Sequence, residues 1–120
     1  MVKSSCHCGA VKLEIDGELL EAFTSCNCSI CRRYGNVMAH HNPKQVKVIA
    51  DPGATQSYIW GDKTLAMVRC ANCGCMSHWE RLDPNQTERM GVNARLFDNV
   101  DISGVRIRHF DGAATWTFLD

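Results

Sequence analysis

The sequence lacks an excess of charge, a long hydrophobic run and any internal repeat, and each absence narrows the functions open to it. The 13 basic and 13 acidic residues cancel to a net charge of zero, so no basic face favours nucleic acid or anionic lipid. No segment approaches the roughly 18 apolar residues of a membrane span, and residues 1–5 lack the apolar core of an export signal. We therefore expect a cytoplasmic protein with no membrane and no nucleic-acid partner.

Short segments of alternating polarity, separated by glycine and proline, predict a mainly β fold. Strands are expected at residues 10–16, 20–25, 46–49, 75–82 and 89–96, with further strand-like spacing in the tail at 98–120. Residues 56–60 and 64–69 flank Gly61 and Asp62, where a hairpin turn or a longer loop fits. Residues 28–34 predict one helical turn that ends at Gly35. We expect an all-β fold of small folded sheets in a single domain over residues 1–120, stabilised by metal.

The chain is rich in cysteine, and the spacing of these residues is its strongest chemical signal. Its eight cysteines fall in three turns with CxC and CxxC spacing: Cys6 and Cys8; Cys26, Cys28 and Cys31; Cys70, Cys73 and Cys75. In a reducing cytosol such spacing favours metal ligands over disulfides, because cysteines two or three residues apart rarely reach the geometry of a bridge. A disulfide framework is the less favoured alternative.

Four of these cysteines suit a closed, structural zinc site. Zinc prefers four ligands in a tetrahedron, and two turns with two thiolates each meet that need. The economical set is Cys6, Cys8, Cys70 and Cys73. Gly74 follows the last of them, at a point where the chain must turn tightly and positive φ is favoured. A structural zinc contributes on the order of 10 kcal/mol to folding, so its loss is expected to unfold the protein.

The remaining triplet, Cys26, Cys28 and Cys31, predicts a second zinc with one free position. A thiol ligand could occupy that position as the thiolate. Two alternatives remain open from the residues alone. Cys75 or His78 could complete the tetrahedron and make the second site structural, or the triplet could hold no metal and be redox-active.

The cysteine pattern resembles that of a known family when its flanking residues are included. The segments that carry the resemblance are CHCGAV at 6–11, CxCxxCR at 26–32, WGD at 60–62, CxxCG at 70–74 and GVNxRxxD at 91–98. Together they resemble the glutathione-dependent formaldehyde-activating enzymes, also called the centromere protein V family. The resemblance implies a β-tent fold. It also implies a structural zinc on Cys6, Cys8, Cys70 and Cys73 and an active-site zinc on Cys26, Cys28 and Cys31.

The same resemblance implies a carbon–sulfur lyase that acts on a glutathione adduct, with formaldehyde and glutathione combining to S-hydroxymethylglutathione in the reverse direction. The partner would be glutathione or another small thiol. The alternative is a non-catalytic module with two structural zincs that binds a protein partner. Coordination of the second zinc separates the two hypotheses, since four protein ligands would leave no position for a substrate.

Several polar residues are candidates for contacts to the substrate. An oxygen that becomes negative during addition needs a donor, and glutathione carboxylates suit an arginine. The candidates are Arg32, Arg33, His78, Asn93 and Arg95. Each has a structural alternative: the arginines could form a solvated face, the histidine could cover a sheet edge, and the last two could hold a turn.

Other conspicuous side chains are interpreted as structural. His40 and His41 are adjacent, so on a strand they face opposite ways and cannot share a metal. Trp60, Trp79 and Trp116 are expected in the core rather than on a substrate-binding surface.

Overall fold

Two β-sheets form the fold in the computed structural model, which describes residues 1–86 and 88–120. Within these residues the elements are β1 Val2–Ser5, β2 Val11–Ile15, β3 Ala22–Cys26, α1 Ser29–Tyr34, β4 Met38–His41, β5 Val46–Ala50, β6 Thr55–Tyr58, β7 Leu65–Cys70, β8 Met76–Arg81, β9 Met90–Asn93 and β10 Arg106–Phe110, with 3-10 turns at Pro43–Gln45, Ala94–Leu96 and Ile102–Gly104. The prediction of a mainly β protein is confirmed.

The two sheets differ in size and in how the chain passes through them. The smaller sheet has the order β1-β2-β5, and the larger has the order β10-β3-β4-β9-β8-β7-β6. Neighbouring strands are antiparallel except β10 and β3, which run parallel with Phe110 opposite Cys26. The chain therefore returns late in the sequence to the strand that carries the first cysteine of the triplet.

The core is shared by both sheets. Leu13 and Ile15 of β2 and Phe23 of β3 are at most 1% exposed, and all three belong to one hydrophobic cluster. Phe97 packs edge-on against Phe23 with ring centroids 5.8 Å apart. The alternation that predicted a half-buried strand at 10–16 thus marks the face of β2 that packs against the larger sheet.

The element boundaries differ from the predictions where a local hydrogen bond ends a strand. The strand expected over 89–96 stops at Asn93, whose side chain accepts a hydrogen bond from the N–H of Arg95 at 3.2 Å and caps a 3-10 turn. Between β6 and β7 the chain forms the longer of the two loops considered. The helical turn ends as predicted at Gly35, which has φ +67°. In the described residues, no helix is long and apolar enough to span a membrane.

The expectation that all three tryptophans are core residues is wrong for two of them. Trp79 on β8 is buried, whereas Trp60 is 44% exposed and Trp116 is 73% exposed. Trp60 lies in the loop after β6, and Trp116 lies in the last turn of the chain, beyond β10. Neither residue belongs to either of the two hydrophobic clusters.

Candidate metal centre

Four cysteine sulfurs drawn from both sheets meet in one group. We call Cys6, Cys8, Cys70 and Cys73 the four-sulfur group; their sulfurs all lie within 4.8 Å of one another. The first two stand in the turn between β1 and β2, and the other two stand at the turn between β7 and β8. Since these turns belong to different sheets, the group joins the smaller sheet to the larger one.

The spacing of these sulfurs matches a tetrahedral zinc site. Cys8 Sγ lies 3.7 Å from Cys6 Sγ and 3.6 Å from Cys70 Sγ. A zinc–sulfur bond of about 2.3 Å places the corners of a tetrahedron about 3.8 Å apart. Both turns also direct N–H groups at the sulfurs: Val11 donates to Cys6 at 3.3 Å, and Cys73 donates to Cys70 at 3.4 Å.

Protonation within the four-sulfur group differs between its buried and its more open members. Burial raises the pKa of the Cys6 thiol to about 11. The backbone N–H of Cys75 lowers the pKa of Cys73 to about 5. Gly74 between them has φ +78°, the conformation that the sequence predicted for this turn. Such N–H groups favour the thiolate, which is the form that binds metal.

A second group forms where β3 ends and α1 begins. We call Cys26, Cys28 and Cys31 the three-sulfur group; their sulfurs also lie within 4.8 Å of one another. Cys26 is the last residue of β3, Cys28 is the N-cap of α1, and Cys31 lies buried in the helix. The N–H of Cys28 donates to Cys26 Sγ at 3.4 Å, and the N–H of Cys31 donates to Cys28 Sγ at 3.4 Å. One short strand-to-helix turn therefore brings three soft ligands together.

The three thiols differ in how readily they lose a proton. Burial raises the pKa of Cys26 and, more strongly, that of Cys31. Burial acts on Cys28 in the same direction, but the hydrogen bonds from the Cys31 N–H, from the thiols of Cys31 and Cys26 and from the Ile30 N–H together outweigh it and lower the pKa of Cys28. Cys28 is thus the member of the group that forms a thiolate most easily.

Neither residue that could have completed a tetrahedron lies in the three-sulfur group. Among residues 1–86 and 88–120, that group has three metal-binding side chains, all of them cysteines. Cys75 lies beside Cys73, where their thiols interact. His78 is 1% exposed, and its ring nitrogens pair with the Ser77 hydroxyl at 3.0 Å and the Glu80 carboxylate at 2.8 Å. His78 therefore does not cover a sheet edge, which was the structural alternative considered for it; it lies buried on β8, an inner strand of the larger sheet.

The arginines after the cysteine triplet lie on the exposed side of α1. Arg33 Nη1 donates to the Ser29 carbonyl one turn earlier at 2.9 Å. Arg32, its neighbour, is also exposed and lies in the last turn of the helix. Both positive charges therefore stand on the same short helix that carries Cys31.

The polar residues of the GVNxRxxD segment have structural partners. The buried Asn93 side chain donates to the Met76 carbonyl at 2.8 Å. Arg95 Nε donates to the carbonyl of Gly35 at 2.7 Å, which ties the end of α1 to this segment. Asp98 accepts a hydrogen bond from the Ser5 hydroxyl at 2.7 Å. These contacts hold β9 and its 3-10 turn against both cysteine turns.

The last residues of the chain contact the three-sulfur group, an arrangement that the sequence did not predict. A Cβ placed on Gly112 would stand 2.6 Å from Cys26 Sγ. Asn27 Nδ2 donates to the Asp111 carboxylate at 3.0 Å, and Asn27 Oδ1 accepts from the N–H of Ala113 at 3.0 Å. The one local signal was Gly112 itself, since a glycine often marks a close approach of backbone to another group. Its partner lies more than 80 residues earlier, so no local pattern reveals it.

The chain resembles known proteins both in sequence and in structure. Residues 1–110 match the family model described as glutathione-dependent formaldehyde-activating enzyme. The fold is similar to the crystal structure of a Rhodobacter sphaeroides protein, a Northeast Structural Genomics target, with a TM-score of 0.73 and 28% sequence identity. That similarity covers 88% of this chain and 98% of the other. Both cysteine groups lie inside the residues that match the family model, and residues 111–120 lie beyond them.

Proposed function

Because the chain belongs to the glutathione-dependent formaldehyde-activating enzyme family, we propose that it joins a small thiol such as glutathione to formaldehyde. The S–H group adds across the aldehyde C=O: a carbon–sulfur bond forms, the π bond opens, and the thiol proton ends on the new hydroxyl. Nothing is oxidised or reduced. In the reverse direction the same reaction is a carbon–sulfur lyase reaction, which releases the aldehyde and the thiol.

The observation that supports this proposal is the division of seven sulfurs into a group of four and a group of three. Zinc held by four protein thiolates has no free position, whereas zinc held by three keeps one for a substrate. We propose a structural zinc at the four-sulfur group and a second zinc at the three-sulfur group. The soft donor set and the N–H groups directed at the sulfurs fit zinc at both places.

The residues around the three-sulfur group would hold the ligands in place and attract an anionic thiol. A zinc ion bound there would stabilise an added sulfur as the thiolate near neutral pH. Asn27 and Asp111 hold the turn that carries the sulfurs. Arg32 supplies a positive charge at the exposed end of α1, which suits a carboxylate of glutathione. His78, with both ring nitrogens paired, supports the sheet in this proposal rather than the reacting atoms.

Metal analysis combined with calorimetric titration of glutathione tests the proposal. The wild-type chain, purified without chelator, is expected to hold two zinc ions and to bind glutathione. Cys28→Ser is expected to hold one zinc and to lose glutathione binding, and the fold is expected to survive because serine is also a good N-cap for α1. Cys75→Ser is the matched control, since it removes a thiol that lies in neither group.

Turnover is measured by NMR with isotope-labelled formaldehyde, as the rate of exchange with the S-hydroxymethyl adduct above the uncatalysed rate. Acceleration by the wild type and by Cys75→Ser, but not by Cys28→Ser, supports the enzyme. Two tightly held zincs with neither thiol binding nor acceleration would instead favour the non-catalytic zinc module.

A further inference from the structure

The last turn of the chain forms one wall of the three-sulfur group. We call residues 111–117 the C-terminal loop. Because β10 runs beside β3 with Phe110 opposite Cys26, the chain leaves β10 next to the sulfurs. An added Cβ on Gly112 would stand 2.6 Å from Cys26 Sγ and 3.2 Å from Cys28 Cβ. The loop lies beyond residue 110, where the match to the family model ends.

Hydrogen bonds fix this loop to the turn that carries the cysteines. The Asp111 carboxylate accepts from Asn27 Nδ2 at 3.0 Å and from the Thr115 hydroxyl at 2.9 Å. Asn27 in turn accepts from the N–H of Ala113 at 3.0 Å. Since Asn27 stands between two members of the three-sulfur group, these bonds place the loop relative to the sulfurs themselves.

Trp116 is held on this loop in an unfavourable conformation and in contact with solvent. Its side chain is 73% exposed, and its φ of +58° lies in the left-handed region that bulky residues avoid. The Trp116 N–H donates to the carbonyl of Asp111 at 2.7 Å. The indole ring of Trp116 packs edge-on against the Phe110 ring, with ring centroids 5.1 Å apart. Backbone strain that surrounding contacts maintain is concentrated at binding sites and active sites. A strained, exposed indole beside a sulfur cluster is therefore a candidate for ligand contact.

We propose that Trp116 binds the peptide part of a peptide thiol, such as glutathione, whose sulfur is held at the three-sulfur group. This inference rests on the function proposed above. The indole edge and the Cys26 sulfur both lie against Gly112, so a ligand whose sulfur reaches the group extends its next atoms beside the ring. An indole offers apolar area to methylene and peptide groups, and its face attracts an ammonium. A thiol without a peptide part gains nothing from this contact.

Calorimetric titration of the zinc-loaded full chain with glutathione and with mercaptoethanol tests this role. Trp116→Asn removes the ring, and asparagine tolerates the left-handed conformation. It is expected to weaken glutathione binding by about tenfold and to leave mercaptoethanol binding and zinc content unchanged. Trp116→Phe, which keeps an aromatic ring, is expected to restore part of the loss. Trp60→Asn removes the other exposed tryptophan and is expected to leave the binding of both glutathione and mercaptoethanol unchanged.

The outcomes separate this inference from the function on which it rests. Unchanged glutathione binding in Trp116→Asn would overturn the role of Trp116 and leave the proposed function standing. An equal loss for both thiols, or a loss of zinc, would also overturn it, because the loop would then act by supporting the cysteines. A wild-type chain that binds neither thiol would overturn the proposed function and this inference together.

Discussion

At the scale of single residues, Gly112 is the position where the structure leaves least room beside the candidate site. Its backbone passes so close to the three-sulfur group that any larger residue must displace a sulfur or the C-terminal loop. The bonds between Asn27 and Asp111 hold the loop in this position. Substitution at residue 112 therefore tests how closely the C-terminal loop packs against the three-sulfur group.

We expect Gly112→Ala to lower zinc content from two ions to about one per chain without unfolding the protein. The added Cβ would stand 2.6 Å from Cys26 Sγ, closer than real Cβ atoms approach a neighbour, and 3.2 Å from Cys28 Cβ, which is also a tight contact. Zinc is measured by elemental analysis, and folding by circular dichroism. Gly104→Ala is the control, because a Cβ at Gly104 meets no described atom within 4 Å. Full zinc content in Gly112→Ala would contradict the inference that the C-terminal loop lies directly against the three-sulfur group.

A second residue-scale prediction concerns the stability of the fold in mild acid. Burial lowers the pKa of His40 from its ordinary 6.5 to about 4, with smaller contributions from Arg89 and His41. Between these values the unfolded chain binds more protons than the folded one. The free energy of unfolding should therefore be fully maintained above about pH 6.5 and fall, by up to about 3 kcal/mol, as the pH decreases towards 4.

Urea unfolding at several pH values across this range measures the effect, and His40→Gln provides the comparison. Acid also releases metal from thiolates, but it does so in the wild type and in His40→Gln alike. The difference between the two proteins in how steeply the free energy of unfolding changes with pH therefore isolates the contribution of His40. Burial also lowers the pKa of His41, so the stability of His40→Gln should still depend on pH to some extent. Identical slopes would show that His40 is not held neutral by the fold.

At the scale of elements, the short segment from β3 through α1 both forms a capped helix and positions the three sulfurs. Cys28 caps the start of the helix, and Gly35 ends it with an N–H bonded to the carbonyl of Cys31 at 3.0 Å. The cap residues are thus also the residues that orient the ligands. Because the helix is too short to be stable alone, contacts such as that of Arg95 with Gly35 are needed to keep it folded.

The pairing of β8 with β9 yields an element-scale prediction. Trp79 lies directly opposite Gly91, and a Cβ on Gly91 would overlap the indole nitrogen of Trp79. We expect Gly91→Ala to destabilise the protein by about 1–3 kcal/mol, as measured by urea unfolding, because extra volume in a packed site forces side chains off their preferred rotamers.

A double-mutant cycle identifies the cause of that loss. In a Trp79→Leu background the overlap disappears, so Gly91→Ala should then cost much less than in the wild type. An equal cost in both backgrounds would place the effect in the backbone of β9 rather than in the contact between these two residues.

At the scale of the whole molecule, the two cysteine groups differ in what they hold together. The four-sulfur group joins turns from different sheets, whereas the three-sulfur group lies within six consecutive residues. Loss of a metal bound at the first would remove a link between sheets, whereas loss of one bound at the second would leave both sheets in place. The same chemistry therefore has different consequences for stability.

We predict that Cys73→Ser abolishes the folded state, whereas Cys28→Ser retains it. Circular dichroism and size-exclusion chromatography measure folding, and a chelator titration of the wild type should show release of the three-sulfur metal before unfolding begins. Equal loss of solubility in both variants would mean that both metals are structural. Survival of Cys73→Ser would mean that the core shared by β2 and β3 suffices without the link.

The sequence by itself determined the fold class, the family and the two sets of cysteines that the structure brings together. The fold class and the three-sulfur group depend on local patterns: alternation of polarity over a few residues, and thiols spaced so that a single turn presents them. The four-sulfur group combines two turns about 60 residues apart, so spacing made that set the economical one and the structure brought the two turns together. What only the tertiary structure decided was that Cys75 and His78 lie outside the three-sulfur group and that Trp116 is exposed. It also decided that residues 111–117 close over a turn more than 80 residues earlier. Such contacts depend on the parallel pairing of β10 with β3, a long-range arrangement that no local pattern specifies.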